Sequence, residues 1–386
     1  MFLIIFSRSR LASLNFSYFL TQILSVLIST SPIYAGEPDT DQEEDQPARW
    51  ETDVKLEMGW QHNLFEETHS KDMKSDGFVD SALSLEIPLD GDKRMLTGFF
   101  NYAARNYFKE QQLNSYSLRP SFEWQVFDQN ETNLKVGFYG SRFLERIYDE
   151  SQNIPNKSQP GYNLGVTWNF ESKIKSKTDF IWNGNYNYQW FDQVSQDNVS
   201  AETGFEFVRS MTDNTNFHLG TKLEFQNYTR RPAETEAPGD PVGLQTLGGY
   251  LTGGINHDLG NDWRLEIGQA AGYRLDRTTG YYDAAVTSSQ LELSWSQNSW
   301  TWVAQTEFEW TAYSERLANR RQGNHQLVSQ VIVFETTLEY QVNNRLSVFG
   351  QAELRQRDTN SNEYAPDPVQ NNFSTVLVKV GIIFHY

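Results

Sequence analysis

The residues best suited to acid–base, metal or nucleophilic chemistry are few and scattered in this chain. None of its histidines has the spacing of a zinc ligand relative to another histidine or a carboxylate; they lie at positions 62, 69, 218, 257, 325 and 385. A serine hydrolase needs Ser and His close in space, and His69 and Ser70 are neighbours, but on a polar loop they are more simply solvated. The pattern predicts no enzyme, no metal and no cofactor.

Most of the chain repeats one theme, in which apolar and polar residues alternate over about ten positions. Such alternation is typical of β-strands with two different faces. We count sixteen segments, at residues 52–65, 79–89, 96–108, 116–126, 134–142, 162–170, 178–190, 199–208, 217–228, 247–259, 263–275, 285–297, 300–313, 326–342, 346–357 and 375–386. The even-numbered connections are short, as in "GN" and "NN", and the odd-numbered ones are long.

This alternation predicts an all-β fold, a transmembrane antiparallel up-and-down barrel of about 16 strands with short periplasmic turns and long extracellular loops. Hydrocarbon offers no hydrogen-bond partners, so every backbone N–H and C=O group must pair within the protein. Strands can therefore cross a bilayer only in a closed barrel. Trp and Tyr near both ends of the segments form the two aromatic girdles expected at membrane interfaces. A soluble sandwich or propeller is the alternative. Four polar or Pro residues lie on the apolar face, and we expect a bulge or a register slip near each of them, namely near Pro120, His257, Gln269 and Ser289.

The polar face of these segments carries more acids than bases. If it lines a lumen, the charged residues that we expect to line the pore are Lys55, Glu57, Arg105, Arg119, Glu206, Lys222, Glu224, Glu292, Glu307, Glu309, Glu339, Glu353, Arg355 and Lys379. The bases concentrate in the last two segments, and Lys55 joins them if segment sixteen closes onto segment one. Opposed basic and acidic walls, or simple pairs between neighbouring strands such as Glu353 with Lys379, explain the pattern equally well.

The remaining composition limits compartment and partners. Residues 1–35 are predicted to be a signal peptide, with an N-terminal membrane anchor as the alternative, and 36–49 an acidic flexible leader before a barrel at 50–386. Without that signal peptide the formal charge of −18 becomes −20, because Arg8 and Arg10 are lost, which disfavours nucleic acid as a partner. The absence of Cys excludes disulfides and thiolate sites.

The end of the chain, "VLVKVGIIFHY", alternates hydrophobic residues and finishes on an aromatic. In this and in its sixteen segments the chain resembles a Gram-negative outer-membrane porin of the sixteen-stranded type. The resemblance implies a membrane-assembly signal at Val380, Ile382, Phe384 and Tyr386, read by the barrel-assembly machinery. Tyr386 replaces the commoner Phe, and no long third loop with an obvious constriction motif stands out.

A sixteen-stranded barrel is wide enough to leave an aqueous channel. We therefore expect an outer-membrane porin for passive diffusion of small hydrophilic solutes, mildly cation-selective, in contact with outer-membrane lipid and lipopolysaccharide; a homotrimer is left open. The alternative is a non-conducting outer-membrane barrel that acts in surface adhesion or export.

Overall fold

The computed structural model describes residues 50–64, 74–89, 95–129, 131–149, 154–192, 197–232, 243–278, 282–317, 325–360 and 372–386. The predicted signal peptide at 1–35 and the leader at 36–49 lie outside these residues. In the described part of the chain, no helix is long and apolar enough to cross a bilayer.

Within the described residues the chain forms sixteen strands and one turn of 3-10 helix at Gln111–Leu113. The strands are β1 Glu51–His62, β2 Ser75–Pro88, β3 Leu96–Tyr107, β4 Ser115–Gln129, β5 Thr132–Asp149, β6 Ile154–Lys175, β7 Thr178–Phe191, β8 Asn198–Thr212, β9 Thr215–Pro232, β10 Gly243–Gly260, β11 Trp263–Asp276, β12 Ala284–Gln297, β13 Trp300–Leu317, β14 Gln326–Asn343, β15 Leu346–Thr359 and β16 Phe373–His385. Each of the sixteen predicted segments corresponds to one strand.

Every strand pairs antiparallel with its neighbours in the chain, and β1 pairs with β16 to close the barrel. At this seam Val54 lies opposite Phe384 and Met58 opposite Val380. The backbones of Thr52 and Tyr386 exchange two hydrogen bonds, of 3.0 and 2.9 Å, just beyond the end of β16. The prediction of a closed up-and-down antiparallel barrel is confirmed.

From β4 onward two-residue turns alternate with longer connections, whereas the β2–β3 connection, predicted to be short, takes residues 89–95. The barrel therefore has a short-turn end and a long-loop end. Between β10 and β11 the turn is Asn261-Asp262, with φ of 52° and 66°, as the tight type I′ hairpin turn requires. The third odd-numbered connection differs from its predicted length. We expected residues 143–161 to form it, but β5 and β6 contain 18 and 22 residues, so the hairpin leaves only 150–153 between them.

The outward face of the barrel is apolar along nearly every strand. On β9, for example, Leu219 and Leu223 are each about half exposed. Exposed leucine side chains are unfavourable in water but favourable in contact with lipid. Aromatic clusters mark both ends of this band. The ring centres of Trp300 and Tyr340 lie 4.6 Å apart, with the rings tilted by 42°, near the short-turn end, and Tyr162 and Trp190 stack 5.3 Å apart toward the long-loop end. This is the surface of a barrel that crosses a bilayer.

Polar residues on the outward face are accommodated differently from our prediction of bulges. Gln269 and Ser289 lie directly opposite each other without a register shift, and the amide donates a 3.4 Å hydrogen bond to the hydroxyl. At Pro120 the β4–β5 ladder is interrupted but resumes in the same register. Those three bulge predictions are wrong. A bulge does lie beside His257, between Asp258 and Gly260.

The long-loop end of the barrel holds the most deeply buried apolar side chains, and they point inward. Phe78 is completely buried, Phe143 and Phe191 meet edge to face at 5.4 Å, and Leu327 packs with Tyr313. Toward the short-turn end the inward face is polar instead. The candidate functional surface is therefore the polar inner wall.

Candidate functional site: the inner wall of the barrel

The fourteen charged residues expected to line the pore share the inward face of the sheet. Side chains alternate along a strand, and residues directly opposite on neighbouring strands share a face. Leu56, opposite Ser81, faces outward, so its neighbour Lys55, opposite Ala82, faces inward. Three groups of these residues are brought together, on β16–β4, on β8–β9 and on β12–β15. Arg355 is also on β15, two residues from Glu353, with its Cζ 5.9 Å from the ring centre of Phe373.

Glu57 joins the two ends of the sheet at the seam. Its carboxylate, with the residue only 8% exposed, lies 2.7 Å from Lys55 Nζ on the same strand and 3.3 Å from Lys379 Nζ on β16. The alternative pairing of Lys379 with Glu353 is not formed, because Gln351 is the residue opposite Lys379. The predicted closure of segment sixteen onto segment one is thus what brings Lys55 to Lys379.

Replacing Glu57 by glutamine should weaken this seam. Two ammonium groups would then share a largely buried site without a carboxylate, so we expect the free energy of unfolding to fall by about 1–3 kcal/mol, measured by urea titration in lipid vesicles. Glu123→Gln is the matched control, since Glu123 is exposed and has one basic partner among the described residues, Lys135 at 3.0 Å. Equal losses in both variants would contradict a special role for the seam.

Arg105 on β3 is held from two sides. Its guanidinium forms a bidentate pair with Asp80, with Nε to Oδ1 at 2.9 Å and the terminal nitrogen to Oδ2 at 2.7 Å. Its Cζ also lies 4.1 Å from the ring centre of Phe78. Bidentate geometry and ring stacking fix a guanidinium more tightly than either contact alone, so this charge is neutralised and immobile.

On β8 and β9 a single lysine bridges two acids that face each other. Glu202 and Glu224 are directly opposite in register, and Lys222 Nζ lies 3.2 Å from the first and 2.7 Å from the second. Next to them, His218 Nδ1 lies 3.0 Å from Glu206. One base for two carboxylates leaves this part of the wall negative.

The wall formed by β12–β15 is the most acidic part of the lumen. Within the described residues, no Lys, Arg or His nitrogen comes within 4.0 Å of its carboxylates, which belong to Glu292, Glu307, Glu309, Glu335, Glu339 and Glu353. Their hydrogen bonds are to neutral groups: Gln305 donates to Glu307 at 2.7 Å and Thr311 to Glu309 at 3.0 Å. These charges remain available to solutes in the lumen.

Between the acidic groups, β6 and β7 present amides inward. On β7 the inward residues are Asn183, Asn185 and Asn187, and they alternate with outward Trp182 and Tyr186. The amides therefore face the lumen and the aromatic rings face lipid. Asn187 Oδ1 accepts a 3.3 Å hydrogen bond from the hydroxyl of Tyr139.

The sequence interpretation missed a set of inward aromatic rings that lie flat over glycines. Phe78, Tyr139 and Phe349 are directly opposite Gly59, Gly165 and Gly381. A Cβ on Gly59 would lie 2.5 Å from the Phe78 ring, and one on Gly381 would lie 2.8 Å from the Phe349 ring. The signal that could have identified them is an aromatic residue with lumen parity.

Nothing in the described part of the chain groups three or more His, Asp or Glu side chains as metal ligands. The inner wall is therefore a surface of fixed charges and amides distributed around the barrel.

Comparison with known proteins finds similarity only at the level of structure. No family model matches the sequence, and no curated protein matches it. OccAB1 from Acinetobacter baumannii superposes with a TM-score of 0.48 at 9% identity, covering 87% of this chain and 96% of that one. An anion-selective porin from Comamonas acidovorans gives 0.44 at 11%, covering 88% and 100%. A bacterial polysaccharide outer membrane secretin gives 0.47 at 10%, covering 86% and 98%. The topology itself confirms the architecture implied by the porin resemblance, a closed antiparallel barrel of sixteen strands.

Proposed function

We propose that this protein is an outer-membrane porin through which small hydrophilic solutes diffuse passively, with a mild preference for cations. The observation that carries the proposal is the row of carboxylates on β12–β15, which face the lumen of a closed barrel without basic partners among the described residues. A barrel of sixteen strands leaves room for water, and fixed negative charge on its wall raises the local concentration of cations.

The same proposal assigns the other surfaces of the molecule. The outward apolar band contacts outer-membrane lipid and lipopolysaccharide. Val380, Ile382, Phe384 and Tyr386 lie along one outward row at the seam and serve as the signal read by the barrel-assembly machinery during insertion. No catalytic step and no nucleic acid partner are part of the proposal.

Single-channel recording of the refolded protein in a planar bilayer tests the proposal. We expect stable, ohmic current steps and, under a KCl gradient, a reversal potential of the sign that indicates cation preference. Protein denatured before addition is the control. Insertion of a folded barrel without current steps would contradict an open channel and favour the adhesion or export function.

A further inference from the structure

Three positively charged side chains of the inner wall lie on the aromatic rings that cover glycines. We name these arrangements ring stacks; they are Gly59–Phe78–Arg105, Gly381–Phe349–Lys55 and Gly165–Tyr139–Arg119. The cation lies 4.1 Å from the ring centre in the first, 4.3 Å in the second and 3.9 Å in the third. Because glycine has no Cβ, each ring lies close to the wall and turns its face to the cation.

Two of the three cations are already neutralised by a carboxylate of the protein. Arg105 is paired bidentately with Asp80, and Lys55 lies 2.7 Å from Glu57. The third, Arg119, is different. Among the described residues no carboxylate oxygen lies within 4.0 Å of its guanidinium, although its side chain is exposed to the lumen. The ring of Tyr139 covers one face of the guanidinium and leaves its N–H edges available.

The acids nearest to Arg119 are engaged or lie at another level of the wall. Asp80 and Glu57 bind the other two stacks. Glu145 is on β5, four residues beyond Ser141 toward the long-loop end, which corresponds to about 13 Å along the strand. The acidic wall at β12 lies eight strands around the barrel from β4. Within the described part of the chain, Arg119 is therefore a positioned guanidinium without a carboxylate in ion-pair distance.

In front of Arg119 the wall forms a recess of about 520 Å³. Small and polar residues line it, including Ala103, Ser117 and Ser141. Three carboxylates also border the recess; two of them, Glu57 and Asp80, are paired with bases of the wall, and the third is Glu145.

We propose that Arg119 and this recess form a binding site for a small solute that carries a carboxylate group, on its path through the lumen. This rests on the proposed porin function. The planar fork of a guanidinium matches a carboxylate, and stacking on Tyr139 orients the fork before the solute arrives. Multiply charged anions such as phosphate are repelled more strongly by the acid-rich lumen.

Protection from chemical modification tests the site without requiring ion flow. Phenylglyoxal reacts with accessible guanidinium groups, and mass spectrometry gives the rate at each arginine of the folded barrel. We expect acetate at about ten times its Kd to slow modification of Arg119 about tenfold, while acetamide at equal ionic strength does not. Arg264, paired with Glu266 at 2.7 Å, is the internal reference. Equal rates with acetate and acetamide, or equal protection by phosphate, would overturn the proposal.

Uptake into proteoliposomes tests the same site in transport. We expect Arg119→Leu to lower the ratio of gluconate to glucose uptake about two- to fivefold relative to Arg264→Leu. Both variants lose one positive charge, so a difference between them reports the site and not the general field. Arg119→Lys should restore only part of the ratio, because it keeps the charge and loses the fork. Equal ratios in the two leucine variants would contradict the proposal. If the wild-type barrel passed neither solute, the porin function would fail, and the protection experiment would still decide on Arg119.

Discussion

Replacing Glu307 and Glu309 by glutamine will lower the ratio of cation to anion permeability by about two- to fivefold. Each carboxylate acts on an ion about 10 Å away with roughly 0.4 kcal/mol in water, which screening at about 0.1 M salt lowers to about a third, in opposite senses for cations and anions. Both residues are exposed to the lumen, and their hydrogen bonds among the described residues are to neutral groups, so their charge acts on the solution. The reversal potential of single channels under a KCl gradient measures the change.

The matched control lies on the same strand. Thr306→Ala with Phe308→Leu changes two neighbouring residues whose side chains face lipid, and should leave selectivity unchanged. Raising the salt concentration should shrink the difference between wild type and the glutamine variant, because mobile ions screen the carboxylates. A permeability ratio unaffected by the loss of both carboxylates would show that the acidic wall does not set selectivity.

Leu291→Arg will destabilise the inserted barrel by about 2–4 kcal/mol, whereas Gln290→Arg, one residue away, will not. Leu291 lies near the middle of β12 and faces lipid, where a guanidinium must enter hydrocarbon. Gln290 faces the lumen directly opposite Glu307, so an arginine there remains hydrated and gains a carboxylate partner. Urea titration of vesicle-inserted protein gives both free energies of unfolding.

This pair also tests the assignment of the two faces, because adjacent residues differ in little besides direction. Gln290→Arg should in addition reduce cation selectivity, which Leu291→Arg cannot do from the lipid side. Similar destabilisation by both arginines would contradict the placement of β12 with Leu291 outward.

The strand number and the faces of the strands were predictable from sequence because a barrel wall has only two environments. Alternation with period two assigns Glu307 inward and Phe308 outward without knowledge of any neighbour. Strand length was less accessible: β5 and β6 continue past the apolar band into water, where alternation no longer distinguishes strand from loop.

The partners of the charged residues depend on register, which alternation leaves open. Lys379 could have faced Glu353 by parity alone, but it reaches Glu57 because β16 closes onto β1 with Gln351 on its other side. The ring stacks were missed for a related reason. A glycine such as Gly165 has no side chain to contribute to the alternation of apolar and polar residues. Its role is visible only in the structure, where Tyr139 lies opposite.

The seam between β1 and β16 has a consequence for biosynthesis. Its two strands are separated by more than 300 residues of chain, so this ladder has the longest loop to close and closes slowly compared with any hairpin. Until β16 pairs with it, β1 has one edge whose N–H and C=O groups have no strand partner, and hydrocarbon cannot hydrogen-bond to them. That edge must therefore stay out of hydrocarbon until the two ends of the chain meet and Glu57 reaches Lys379.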